Sequence, residues 1–136
     1  MIRKLLIAYN GSDAAKGAFN FARDLAGEHD AELHVLAVAQ VPIVGADVET
    51  KAVIEHERQH CDLILQPLRA RVAGLRVHFN VSFGDPVVQI VRYAESHQID
   101  HIVVGHRGRS VVGRWLAGST AERVMARAQC SVSAIR

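Results

Sequence analysis

Asp100-His101-Ile102-Val103-Val104-Gly105-His106-Arg107-Gly108 and, after nine further residues, Gly118-Ser119-Thr120-Ala121-Glu122 form the stretch on which the reading of this chain turns. The run over 102–104 is short and wholly apolar, as suits a central parallel strand covered on both faces. Ser119-Thr120-Ala121-Glu122 has the spacing of a capping box that opens a helix. Ala121, Val124, Met125 and Ala128 would form the buried face of that helix. A glycine-rich loop joins strand to helix. Its glycines let the backbone come close to a ligand or take a positive φ. The helix N-terminus offers unpaired N–H groups and the positive end of a dipole. Ser119 and Thr120 add hydroxyls, and Arg107, Arg109 and Arg114 add positive charge. Phosphate is the natural guest of such a loop.

The same alternation extends outward in both directions. Leu5-Leu6-Ile7-Ala8-Tyr9 reads as a buried strand that ends at the turn Asn10-Gly11-Ser12. Ala15, Ala18, Phe19, Ala22, Leu25 and Ala26 then recur at helical spacing, with Ser12 or Asp13 as cap. Residues 33–39 give a second strand, and 40–50 read as loop. A longer helix follows through Ile54, Cys61, Ile64, Leu65, Leu68 and Val72. Proline in a helix interior costs about 3 kcal/mol, so a kink or restart is expected at Pro67. Residues 77–81 alternate, as in a strand at a sheet edge. In Gly84-Asp85-Pro86, Asp85 is the cap and Pro86 the first helical residue. Val87, Ile90, Val91 and Ala94 form that helix's face. Residues 131–135 are a final strand. The order β-α-β-α-β-α-β-α-β predicts one α/β domain over 1–136: an open parallel five-stranded sheet with helices on both faces. Ligands of such sheets bind beyond the carboxyl ends of the strands, where the strand order reverses.

Composition removes several classes. The chain has 136 residues, about half hydrophobic and under a quarter charged, with a formal net charge of +2. No basic run points to nucleic acid. The apolar N-terminal run is too short for a signal peptide or a membrane span, so the expected compartment is the cytoplasm. Two distant cysteines, Cys61 and Cys130, form neither a disulfide framework nor a paired zinc spacing. They are expected to be semi-buried thiols in a reducing compartment.

Two standard phosphate motifs fail here. The spacing from Gly108 to Gly113 is that of a P-loop, but Arg114 and Trp115 stand where the lysine and the hydroxyl belong. The dinucleotide fingerprint Gly-x-Gly-x-x-Gly is absent. The spacing that is present, Gly-x-x-Gly-x9-Gly-Ser, resembles the nucleotide-binding signature of the universal stress protein family. Tyr9-Asn10-Gly11-Ser12, Gly84-Asp85-Pro86, Gly118-Ser119-Thr120-Ala121-Glu122-Arg123-Val124 and Cys130-Ser131-Val132 extend the resemblance over nearly the whole chain.

The resemblance implies a Rossmann-like, adenine nucleotide alpha hydrolase-like fold with strand order 3-2-1-4-5. It implies a homodimer joined through the C-terminal strand, and ATP, with Mg2+ or replaced by AMP, between strands one and four. Carried over residue by residue, Gly105, Arg107, Gly108, Gly118, Ser119 and Thr120 would hold phosphates and ribose. Val38 would meet the adenine through its backbone. Asn10, with Gly11 and Ser12 after it, would sit near ribose and phosphates, and Val104 would border the same crevice. ATP-binding members commonly carry aspartate where this chain has Asn10, and asparagine keeps the carbonyl acceptor but loses the charge. Ser131 stands where proline is frequent.

His56-Glu57-Arg58-Gln59-His60 matches the zinc-protease pattern His-Glu-x-x-His. A catalytic zinc needs a third protein ligand, and no downstream extension supplies one. The segment is expected to be a solvated helix face, and no metal site is expected in the chain. His34, His78 and His101 are expected to be satisfied surface or edge residues. His106 either contacts phosphate or covers the crevice. Trp115 either packs under the loop or faces the nucleotide or a partner. Ser12 reads as a helix cap and not as a nucleophile.

The function expected is that of a dimeric, cytoplasmic, ATP-binding stress regulator without efficient hydrolysis, acting on an unidentified protein partner. Two alternatives stay open. One is a dimeric interaction module with an empty pocket. The other is an enzyme: a metallohydrolase through His56 and His60, or a nucleotide-using ligase.

Overall fold

Leu5, Leu6 and Ile7 are all fully buried, and they alternate between two cores. That is the mark of a strand covered on both faces. The structure, a computed structural model, describes residues 1–40, 48–106 and 120–136. Its elements are β1 (Lys4–Ala8), α1 (Asp13–His29), β2 (Glu32–Ala39), α2 (Val48–Arg69), β3 (Val77–Phe83), α3 (Pro86–Ser96), β4 (His101–Gly105), α4 (Thr120–Arg127) and β5 (Ser131–Ile135). The strands form one parallel sheet in the order β3-β2-β1-β4-β5.

Side chains alternate across each strand, and the helices divide accordingly. On one face Leu5, Ile7, Leu33, Val35 and Val103 pack with Ala18, Phe19 and Ala22 of α1 and with Leu65 and Leu68 of α2. On the other, Leu6, Leu36, Ile102 and Val104 pack with Val87 and Ile90 of α3 and with Ala121 and Val124 of α4. The edge strand β3 presents Val77, Phe79 and Val81 to the first core, as its alternation predicts.

Two of the expected caps are in place, and the third, at Ser119, lies outside the described residues. Ser12 Oγ accepts from the Ala15 N–H at 3.2 Å, and Asp85 Oδ2 accepts from the Val88 N–H at 3.1 Å, with Pro86 in the first turn of α3. Three expectations need correction. α2 continues through Pro67 and ends two residues later at Arg69, so the proline lies in a last turn and starts no new helix. Met125 is 45% exposed, because α4 is only eight residues long and buries Ala121 and Val124 alone. His34 and His101 are buried, not surface residues. His101 is accommodated by β5, its Nδ1 lying 2.7 Å from Ser131 Oγ and its Nε2 2.8 Å from Ser133 Oγ. Cys61 is buried and Cys130 half-buried, and both are free thiols. Among the described residues no helix is long and apolar enough to cross a membrane.

Candidate functional site

β1 pairs with β2 on one side and with β4 on the other, so the strand order reverses between β1 and β4. Connections from neighbouring strands leave in opposite directions there, which opens a crevice beyond the carboxyl ends. The crevice has a volume of about 360 Å³, within the usual range of small-molecule sites.

Six of the anticipated residues line it: Asn10 and Ser12 after β1, Val38 at the end of β2, Val104 and Gly105 at the end of β4, and Thr120 at the start of α4. Gly11 does not. Its φ of +82° turns the chain, and its open side faces Ile64 of α2, 3.5 Å from where a Cβ would be. Arg107, Gly108, Gly118 and Ser119 lie outside the described residues, as do Arg109, Arg114 and Trp115.

Asn10 Oδ1 accepts the Ser12 N–H at 3.0 Å, which holds the turn that Gly11 permits. Ser12 in turn caps α1, so the first turn of this 17-residue helix, with its unpaired N–H groups, borders the crevice. A Cβ at Gly105 would lie 2.7 Å from the Ala14 carbonyl carbon, so β4 approaches the backbone of α1 too closely there for a side chain. His106, directly after β4, donates its N–H to the Ile135 carbonyl of β5 at 2.6 Å, and its Nε2 lies 3.7 Å from Glu122 Oε1 of α4.

The wall contributed by α2 was not anticipated. Glu57, His60, Cys61 and Ile64 of that helix line the crevice with Tyr9, Leu36, Gln40, Pro86 and Ile90. Within the segment expected to be a solvated outer face, Glu57 is half-buried against the crevice, while His60 borders it and stays exposed, as His56 does. Spacing gave a signal for this, since 57, 60, 61 and 64 share one helix face. Burial pushes the Cys61 thiol up, with Glu57 and Asp62 adding to the effect, so it is a poor nucleophile. Burial likewise raises the Tyr9 hydroxyl, opposed by Arg71. No lysine or arginine is among the described lining residues.

The arrangement is concave, with apolar walls from Val38, Leu36 and Ile90 at one side and backbone and hydroxyl donors at the other. That suits a flat heterocycle joined to a polar, anionic group.

Comparison with known proteins agrees with this geometry. The model of the universal stress protein family matches residues 1–136. Universal stress protein MJ0531 of Methanocaldococcus jannaschii is 32% identical over 142 aligned residues, covering 100% of this chain and 83% of that protein. Among solved structures, the universal stress protein UspA from Lactobacillus plantarum is similar with a TM-score of 0.83 at 30% identity, covering 99% of this chain and 98% of that one. Two more distant structures share the fold. One is a universal stress protein in complex with cAMP, with TM-score 0.81, 22% identity and coverage of 99% and 97%. The other is a family protein from Arabidopsis thaliana with AMP bound, with TM-score 0.73, 21% identity and coverage of 98% and 90%. The signature spacing, the strand order, the crevice at its reversal and a family match over the full length lead to one conclusion: this chain belongs to the universal stress protein family.

Proposed function

We propose that the protein binds an adenine nucleotide in the crevice between β1 and β4 and acts as a nucleotide-dependent regulator. The observation that carries this reading is the convergence of Asn10, Ser12, Val38, Val104, Gly105 and Thr120, from four separate segments, on one cavity of suitable size. In this reading the adenine lies against Val38, and the phosphates lie toward Thr120 and the loop with Arg107, Gly108, Gly118 and Ser119. ATP is the expected ligand, with AMP as the alternative; the cAMP and AMP in two structures of the same fold support the adenine class. Occupancy would shift the balance between conformations of the 105–119 loop and so change a surface read by a protein partner.

The protein is proposed to be a cytoplasmic homodimer joined through β5. Among the described residues β5 pairs with β4 alone, and its outer edge there offers ladder groups to a second copy. It is proposed to be a binding protein and not an enzyme. Glu57 and His60 are titratable groups on the crevice wall, and hydrolysis remains far below the roughly 10 per second of ordinary enzymes.

Denaturing freshly purified protein and resolving the supernatant by chromatography with mass detection tests the reading. About one adenine nucleotide per chain is expected, with less in Gly118→Val. No released nucleotide, together with no thermal shift on adding ATP and Mg2+, would replace it with the empty-pocket interaction module. Asn10 is the feature that favours that second reading, because its carbonyl is already engaged by the Ser12 N–H and carries no charge.

A further inference from the structure

A second cluster lies near the opposite end of the sheet. His34 of β2 and His78 of β3 are partners in the parallel register, and Glu32 precedes His34 by two residues. Side chains two apart on a strand share a face, so all three project from the side covered by α3. Their ligand atoms lie within 4.8 Å of one another. His78 Nε2 is 2.6 Å and His34 Nε2 is 3.4 Å from Glu32 Oε1. The two imidazoles stack with centroids 4.7 Å apart. From His34 to Val38 the strand advances about 13 Å, so this cluster is separate from the nucleotide crevice.

The second observation is an unsatisfied nitrogen. The His34 side chain is 6% exposed, and its Nε2 is buried without a hydrogen-bond partner despite facing the carboxylate. Buried polar atoms without partners are rare, and an ion is one of the few things that accounts for them. The rest of the ring is held as a ligand would be. His34 Nδ1 is 2.6 Å from Tyr93 Oη, which also accepts from Asn80 Nδ2 at 2.9 Å. In the tautomer a metal would select, Nδ1–H is directed at the phenol and Nε2 turns its lone pair toward Glu32 and His78. Outer hydrogen bonds of this kind fix the tautomer of metal-bound histidine.

Lys4 is the cation that opposes a metal here, and its Nζ is drawn to the His97 carbonyl at 3.3 Å. His97 stacks on Tyr93 and closes the cluster from the side of α3.

We propose that Glu32, His34 and His78 bind a divalent first-row transition metal, of which zinc is the representative. Two imidazoles and a carboxylate are a recurrent donor set for such ions. Tetrahedral ligands about 2.0–2.1 Å from zinc stand roughly 3.3–3.4 Å apart. The His34 to Glu32 distance already has this value. His78, on the edge strand and half-exposed, makes the adjustment the ion requires. A fourth position is left for water. The site is independent of the nucleotide reading and reverses the expectation of no metal drawn from the sequence. It is not the His56 to His60 segment, which lies on α2.

The test uses the full chain stripped with chelator, titrated with Zn2+ in competition with a chromophoric chelator, and with Co2+ followed by its visible ligand-field absorption. One ion per chain is expected. His78→Gln and Glu32→Gln should each weaken binding at least tenfold and lose the Co2+ bands, with circular dichroism and metal-free melting temperature close to wild type. His56→Gln should bind as wild type does. Absence of stoichiometric binding, or wild-type affinity in folded His78→Gln, would overturn the proposal.

Discussion

Replacing Gly105 by alanine tests how the crevice is built. A Cβ there would lie 2.7 Å from the Ala14 carbonyl carbon, 2.8 Å from its oxygen and 2.8 Å from Ala15 N. Carbon contacts are most favourable at about 3.5–4.0 Å, so β4 and the first turn of α1 would have to part by about 0.7–1.3 Å. Backbone lies on both sides of the contact, and no flexible side chain can move instead. Overpacking costs about 1–3 kcal/mol, and a clash with backbone belongs at the upper end, about 2–3 kcal/mol. For a domain of this length that lowers the melting temperature by about 6–12 °C. Gly27→Ala is the control: it lies in α1 with nothing within 4 Å of the added methyl, and it should stabilise by about 0.5–1 kcal/mol. Urea unfolding with linear extrapolation measures both. The displaced helix start carries Ser12, so stabilisation of Gly105→Ala by added ATP should also shrink. A Gly105→Ala protein within about 0.5 kcal/mol of wild type, the spread of ordinary surface substitutions, would refute the close approach.

Ser12→Ala removes the acceptor for the Ala15 N–H and should cost about 1 kcal/mol in the same unfolding assay; an unchanged midpoint would mean that the cap contributes nothing. Asn10→Asp keeps an acceptor for the Ser12 N–H and adds charge, so ATP-dependent stabilisation should become more dependent on Mg2+ than in wild type, as read by thermal shift with and without the ion. Burial holds the His101 imidazole below its ordinary value of 6.5. The unfolded chain therefore takes up protons first, and stability present above pH 6.5 declines as the pH falls below it. The urea midpoint should drop from about pH 7.5 to about pH 5.5, and drop less in His101→Asn; a rise toward acid would contradict the sign. Asp100 is held below its ordinary 3.8 foremost by the Arg3 N–H, with the Lys4 N–H adding to it, both donating to Oδ2 at 2.9 Å. Its contribution is present above 3.8 and lost as the pH falls through the folded value, so Asp100→Asn should flatten that acid limb.

Much of the fold was legible because its signals are local. Five apolar runs, Ser12 and Asp85 as caps, and Pro86 at a first turn depend on residues within a few positions of one another. The parallel arrangement followed from their alternation, and the strand order from the family resemblance. Part of the site was legible for the same reason, since Asn10, Ser12, Val104, Gly105 and Thr120 fall where strands end and helices begin. That Glu57 and His60 border the crevice was missed because a polar helix face looks the same whether it meets solvent or a polar crevice. His34 and His78 were taken as scattered because they are 44 positions apart in number and adjacent only through the register of β2 with β3.

By itself the sequence determined the element types, their order, the turn at Asn10-Gly11-Ser12 and the family, all of which rest on composition and spacing along the chain. Only the tertiary structure decided which face of α2 closes the crevice, why Gly105 must be glycine, and that Glu32, His34 and His78 form one group. These depend on the distance between backbones and on strand register, and such distances are set by packing the whole sheet between its helices, which no single segment encodes.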